Sequence, residues 1–100
     1  MSVAIEQKAE RVALSGELNM QTVPEVASRM AELVSQAHKK LLLDFSAISR
    51  SDSAGVALLV DVLQQARKAN LEVAFCNLPA QMRAIADISG LLDILPIHSQ

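Results

Sequence analysis

Aromatic residues, glycine and proline are scarce in this sequence of 100 residues. There are two Phe, no Trp and no Tyr, so the chain lacks the stacking side chains that a surface for single-stranded nucleic acid uses. Three glycines cannot build the Gly-rich loop that cradles a nucleotide phosphate. The net charge of −2 gives no attraction to a phosphate backbone. Nucleic acid is therefore not an expected partner.

Cysteine and histidine are also rare. The single cysteine, Cys76, excludes an internal disulfide and fits a reducing compartment. Neither His38 nor His98 has the spacing of metal ligands, so no metal and no cofactor are expected. A free cysteine after an apolar segment usually packs as a small hydrophobic residue. No residue is therefore given a catalytic role, and the chain is not expected to be an enzyme.

Signal-peptide and membrane-span patterns are missing as well. Glu6 interrupts the N-terminal segment, which excludes a secretory h-region there. The longest stretch without a charged residue is too short to cross a bilayer. The sequence therefore predicts a cytoplasmic protein that reaches a membrane only through another protein.

Apolar residues make up 51% of the chain, which is enough to form one core. We interpret residues 1–100 as a single α/β domain. The pattern predicts strands near 3–7, 11–15, 41–45, 71–76 and 94–97, a loop at 46–51, and helices that begin near Thr22, Ser53 and Pro79. The order β-β-α-β-α-β-α-β implies an N-terminal hairpin and a mixed, partly parallel sheet.

Two helix starts carry clear signals. Thr22 and Glu25 have the spacing of a capping box. Asp52, Ser53 and Ala54 begin the second helix. The purely structural interpretation is that the polar residues cap the helix and the small residue allows a close approach to the sheet. A serine at such a position is also a workable phosphorylation switch, because the added charge lies near backbone amide donors.

The faces of the second helix predict a docking surface. At about 100° per residue, one face carries Val56, Leu59, Val60, Leu63 and Ala66, and this face is expected in the core. Leu58 then falls near the exposed side, as an ordinary exposed leucine or as the centre of a docking patch. The residues expected to contact a partner protein are Asp52, Ser53, Ala54, Leu58, Asp61 and Gln65.

Three segments resemble the STAS domain of bacterial anti-sigma-factor antagonists. They are 12–18 (VALSGEL), 41–45 (LLLDF) and 52–59 (DSAGVALL). The resemblance covers nearly the whole chain and implies a mixed sheet with helices mainly on one side. It also places Ser53 at the serine or threonine that a partner kinase phosphorylates in many members.

Within this family, the chain is most similar to a subgroup of small cytoplasmic subunits of phospholipid ABC transporters. The similarity rests on the short length, 14–18 (LSGEL), Arg50 and 92–96 (LDILP). This subgroup implies that the partner is the transporter's ATPase subunit, with the inner membrane reached indirectly, and a role in outer-membrane lipid asymmetry. The alternative is an anti-sigma-factor antagonist that a serine kinase switches by phosphorylating Ser53. A third hypothesis, a small-ligand sensor or enzyme, requires a pocket with convergent polar groups.

Overall fold

Strands and helices alternate after an N-terminal pair of strands in the computed structural model, which describes residues 3–98. The strands are β1 (Ala4–Lys8), β2 (Arg11–Leu18), β3 (Lys40–Ser51), β4 (Glu72–Cys76) and β5 (Ile97–His98). The helices are α1 (Val23–Gln36), α2 (Ser53–Lys68) and α3 (Ala80–Ile88). This order confirms the predicted β-β-α-β-α-β-α-β series.

The sheet is mixed, with the strands in sequence order β1-β2-β3-β4-β5. β1 pairs with β2 in antiparallel fashion through a turn at Ala9, whose φ is 55°, and the remaining pairs are parallel. Right-handed crossovers between successive parallel neighbours bring every connecting helix to the same face. Accordingly, α2 packs between α1 and α3.

The two faces of the sheet differ because side chains alternate along each strand. The helix-covered face carries the large apolar side chains, and Phe45 and Phe75 meet there edge to face with ring centroids 6.1 Å apart. The other face, here called the open face, carries Arg11, Leu42 and Asp44. The parallel strands end at one edge, the carboxyl edge, and begin at the opposite edge, the amino edge.

The capping box predicted for α1 is wrong. No side chain caps the first turn of α1, and Glu25 is exposed. The Thr22 hydroxyl instead donates to the Glu17 carbonyl at 2.8 Å and accepts from the Asn19 amide at 3.0 Å. The hydroxyl of the buried Thr22 therefore bonds to residues before the helix and stabilises that loop, and it does not cap the first turn of α1.

The loop predicted at residues 46–51 is also wrong, because β3 continues to Ser51. Its second half pairs only with β2, which itself runs past Gly16. At two register shifts β3 has one more residue than β2, which disturbs the alternation of buried and exposed side chains in β3. The serines of this segment also give it the composition of a loop. Asp52 is consequently the one residue between β3 and α2.

The remaining elements need smaller corrections. Gly90 follows α3 with a φ of 72°, as expected of the glycine after a helix. The last strand is two residues long and begins at Ile97 rather than near residue 94. Among the helices of the described residues, none has the length and apolar character that a membrane crossing requires.

Candidate partner-binding surface

The start of α2 is fixed by the cap residue Asp52. Its Oδ1 accepts a hydrogen bond from the Ala54 amide at 2.8 Å, and its carbonyl accepts from the Gly55 amide at 3.0 Å. The Asp52 amide donates to the Leu18 carbonyl at 3.1 Å, which extends the β2–β3 ladder up to the helix. The helix therefore begins at a position that the sheet determines.

Gly55 allows α2 to lie close to the sheet and to α3. A Cβ at this position would collide with the Ser51 hydroxyl oxygen and would lie 2.9 Å from Cε of Met82. The Ser51 hydroxyl donates to the Asp52 carbonyl at 3.1 Å, and the Ser51 amide donates to Oε1 of Gln81 at 3.2 Å. β3, α2 and α3 are thus held together at one point of the carboxyl edge.

Ser53 is the first residue of α2 and is exposed. Its hydroxyl forms no hydrogen bond with any residue from 3 to 98. Ala54 beside it is half-buried, and Ala57 one turn later is exposed. The side chain of Ser53 is therefore accessible on a fixed backbone, as a modification site requires.

The prediction that Leu58 lies near the exposed face is wrong, because this side chain is 1% exposed. α2 is flanked by α1 on one side and by α3 on the other, so it buries a wider arc than one core face. Val62 joins the core for the same reason, whereas Val60 and Leu63, which were expected there, are only half-buried. Leu58 is a core residue and cannot be the centre of a docking patch.

Asp61 and Gln65 are half-buried further along α2. Nε2 of Gln65 donates to Oδ2 of Asp61 at 2.7 Å, so each polar group already has a partner within the helix. Asp61 lies about 12 Å along the helix axis from Ser53 at 1.5 Å per residue. The structure brings Asp52, Ser53 and Ala54 together, and it places Asp61 and Gln65 at a distance from them.

A polar cleft of about 360 Å³ adjoins the start of α2. Its lining includes Glu17, Asn19, Arg50, Asp52 and Gln81. Arg50 is exposed and forms no ion pair with the described residues. Sequence reasoning missed this cleft, because its side chains come from distant segments that meet only where β2 and β3 end and α3 begins.

Met20 supplies the exposed apolar side chain that Leu58 does not. It is 76% exposed in the loop between β2 and α1. That loop is rigid, since Oδ1 of Asn19 accepts from the Gln21 amide at 2.9 Å and from the Thr22 amide at 3.1 Å. A large apolar residue between polar neighbours in a loop is a pattern in the sequence that could have indicated this exposed side chain.

We call Met20, Arg50, Asp52, Ser53 and Gln81 the carboxyl-edge surface.

A polar cluster with ionisable groups lies on the open face. Nη2 of Arg11 lies 2.8 Å from Oδ2 of Asp44, and Nδ2 of Asn77 donates to Oδ1 of Asp44 at 3.0 Å. Burial opposes the charge of Asp44, but hydrogen bonds from Asn77, the Ser46 amide and Arg11 outweigh burial and hold its pKa well below the usual range.

Arg11 and Asp44 form an ion pair that joins β2 to β3 on the open face. Burial raises the pKa of the Cys76 thiol, and the Asp44 carboxylate acts in the same direction. A buried thiol in its protonated form is a poor nucleophile. Within the described part of the chain, no group of three or more His, Cys, Asp or Glu side chains is arranged to hold a metal ion.

Comparison with protein families gives one extensive match. The family model described as "Mlab, STAS domain" matches residues 1–96. Curated relatives include a putative anti-sigma factor antagonist, BtrV, of Bordetella bronchiseptica, which is 27% identical over 84% of this chain and 72% of its own length. The anti-sigma F factor antagonist of Paenibacillus polymyxa is 27% identical over 98% of this chain and 88% of its own length.

Solved structures show the same fold. The Bacillus cell fate determinant SpoIIAA in its phosphorylated form superposes with a TM-score of 0.72. The superposition covers 98% of this chain and 90% of that protein at 22% sequence identity. At this identity the likeness establishes the arrangement of strands and helices, which agrees with the fold described above.

Proposed function

Because this chain belongs to the STAS domain family, we propose that it is a non-catalytic domain that binds a partner protein through the carboxyl-edge surface, and that phosphorylation of Ser53 weakens this binding. The exposed Ser53 hydroxyl, without a hydrogen-bond partner among residues 3–98, carries the proposal. A phosphoryl group there adds roughly 1.5 to 2 negative charges beside Asp52. The same surface then presents a different charge to its partner.

Met20 is the apolar anchor of this interaction. Interfaces draw most of their affinity from a few large side chains that become fully desolvated. Met20 is 76% exposed and is carried by a loop that its own hydrogen bonds hold rigid, so little order is lost when it docks. The partner is therefore expected to offer an apolar pocket for Met20 beside donors that face Ser53 and Asp52.

An anti-sigma factor is the partner that the curated relatives support. Both relatives described above are named as anti-sigma factor antagonists, and they match over most of their length. A structural relative has been described in a phosphorylated form. In this role, the partner would be a serine kinase that otherwise holds a sigma factor, and Ser53 would be its substrate.

The ATPase subunit of a phospholipid ABC transporter is the second candidate partner. The description of the matching family model, "Mlab, STAS domain", favours it, and the match spans residues 1–96. In this role the chain is an MlaB-like accessory subunit that supports outer-membrane lipid asymmetry. It resides in the cytoplasm and reaches the inner membrane through the transporter complex.

Affinity purification from the native cells tests the proposal and separates the two partners. Tagged wild-type protein is expected to recover one partner, which mass spectrometry identifies as an ABC ATPase or as an anti-sigma kinase. Ser53→Glu and Met20→Asp should each reduce recovery about tenfold or more, because the first adds negative charge beside Asp52 and the second replaces the apolar anchor by a charge. Recovery of the ATPase supports the transporter role, and recovery of the kinase supports the antagonist role.

Ser89→Glu provides the matched control, since Ser89 is an exposed serine just after α3, at the amino edge. It should recover as much partner as the wild type. Thermal unfolding of each variant establishes that the fold is intact. Equal recovery by wild type, Ser53→Glu and Met20→Asp would place the interface elsewhere and overturn the proposal.

A further inference from the structure

A second cleft, of about 340 Å³, opens on the open face at the amino edge. Strand register explains its lining, because Lys8, Arg11, Leu42 and Ala74 are successive partners across β1, β2, β3 and β4. Such partners point to the same face of a sheet. Lys40 lies two residues before Leu42 in β3 and therefore also points to this face.

The floor of the amino-edge cleft is apolar. Leu42 is half-buried and Ala74 is buried, although none of the three helices between residues 3 and 98 covers this face. The volume is at the lower end of the range for small-molecule sites, in which an apolar lining is combined with a few charged groups. The floor can therefore accept an apolar group of modest size.

The rim of the cleft concentrates positive charge. An adjoining cleft of about 250 Å³ shares Lys40 and Glu10 with it and adds Lys39. Together the two clefts hold four of the nine Lys and Arg side chains but two of the eleven Asp and Glu side chains, in a chain whose net charge is −2. The amino edge is thus positive on a protein that is negative as a whole.

Two of these cations are available to a ligand. Lys8 and Lys40 are exposed, and neither forms an ion pair with the described residues. Glu72 is the register partner of Lys40, yet the two side chains form no ion pair. Arg11 is held by Asp44 at 2.8 Å and marks the inner wall of the cleft.

We propose that the amino-edge cleft binds an amphipathic anion, with its apolar chain on Leu42 and Ala74 and its carboxylate or phosphate between Lys8 and Lys40. Snorkelling lysine stems extend the apolar floor while their ammonium groups hold the head group. The ligand class follows from the combination of an apolar floor with unpaired cations at one rim. This site lies at the opposite edge of the sheet from Ser53 and does not depend on the proposed function.

Titration of the isotope-labelled protein with octanoate and octyl phosphate tests the site. Both probes should shift the backbone amide signals of Ala9, Leu42 and Ala74, while the signals at the start of α2 stay unchanged. Tighter binding of octyl phosphate would identify the phosphate head as the preferred anion. Tighter binding of octanoate would identify the carboxylate as the preferred anion. Octyltrimethylammonium, with the same chain and the opposite charge, and inorganic phosphate, with no chain, should bind far more weakly.

Charge reversal supplies the matched variants. Lys40→Glu should weaken octanoate binding about fivefold, which corresponds to about 1 kcal/mol for a solvent-exposed ion pair. Lys68→Glu, an exposed lysine at the end of α2 outside the cleft, should leave binding unchanged. Equal binding of octyltrimethylammonium, equal loss in both lysine variants, or an absence of shifts at Leu42 and Ala74 would each overturn the proposal.

Discussion

The two edges of the sheet are built in different ways. At the carboxyl edge, side chains form hydrogen bonds with backbone groups: Asn19 and Thr22 fix the loop before α1, and Asp52 caps α2. Gln81 of α3 accepts a hydrogen bond from the Ser51 amide at the end of β3. At the amino edge, exposed lysines surround an apolar floor and form no ion pairs with the described residues. One edge presents a hydrogen-bonded surface beside a polar cleft, whereas the other presents a cleft with an apolar floor and a rim of lysines.

This difference explains why the two edges suit different ligands. A rigid surface with an exposed Met20 and a single free hydroxyl favours a protein partner, because little conformational entropy is lost on docking. Flexible lysine side chains around a cleft favour a small anion, since they adjust to the position of its charge. Four sets of substitutions test this comparison, and they are taken from the largest expected effect to the smallest.

Leu58→Ala and Leu42→Ala compare the residue beneath the carboxyl edge with the floor of the amino-edge cleft. Leu58 is 1% exposed, so its truncation should lower the free energy of unfolding by about 2–5 kcal/mol. Leu42 is half-buried on the open face, and its truncation should cost about 1 kcal/mol. Urea denaturation measures both values. Equal losses would show that the open face is as closely packed as the helix-covered face.

Asp44→Asn tests the polar cluster that lies between the two edges. Loss of the charged partner of Arg11 and Asn77 should cost about 2 kcal/mol near neutral pH. The pKa of Asp44 is lower in the folded chain than in the unfolded chain, so its stabilisation is present above about pH 4 and is lost as the pH falls further.

The measurement is the free energy of unfolding as a function of pH. Wild-type stability should fall between about pH 4 and pH 2, and Asp44→Asn should lack the Asp44 part of that fall. Glu6→Gln, a change at an exposed carboxylate of β1, should keep the full wild-type profile. If Asp44→Asn and wild type gave parallel profiles, the ion pair would not determine the acid stability.

The sequence predicted the element order better than the element ends. Apolar patterning identifies the order of strands and helices, either by periodicity, as in the helices, or by a continuous apolar run, as from Leu41 to Phe45. The second half of β3 was not predicted as a strand, because it pairs with β2 only and because two register shifts after Asp44 interrupt its alternation. Leu58 was misplaced because one helical face cannot show that α2 has helices on both flanks. Both errors concern contacts between distant segments.

Only the part of the candidate site that is local in sequence could be predicted. Asp52 and Ser53 are adjacent in sequence, and their role at a helix start follows from local rules. Gln81 and Asn19 reach the same edge from other elements, and no local pattern connects them with Ser53. Met20 was visible as an apolar residue in a polar loop, but its importance depends on the position of that loop beside α2.

Asp52→Ala tests whether the start of α2 depends on its cap. The side chain satisfies the Ala54 amide at 2.8 Å, so its removal should lower the free energy of unfolding by about 1 kcal/mol. Glu25→Ala removes the residue that the sequence assigned to a cap of α1, where the structure shows no side-chain cap. It should change stability by less than about 0.5 kcal/mol. A larger loss of stability in Glu25→Ala would indicate that Glu25 caps α1 after all.

Ser53→Glu and Lys40→Glu compare the two edges directly, with the smallest expected effects on stability. Both side chains are exposed and unpaired among the described residues, so Ser53→Glu should stay within about 0.5 kcal/mol of wild type. Lys40→Glu places a second carboxylate opposite Glu72 and should cost about 0.5 kcal/mol. Each variant should lose a different ligand. Ser53→Glu should lose the protein partner and keep octanoate, whereas Lys40→Glu should lose octanoate and keep the protein partner. The two assays on the same purified variants measure this, and a variant that lost both ligands while remaining folded would mean that the edges are coupled through the sheet rather than independent.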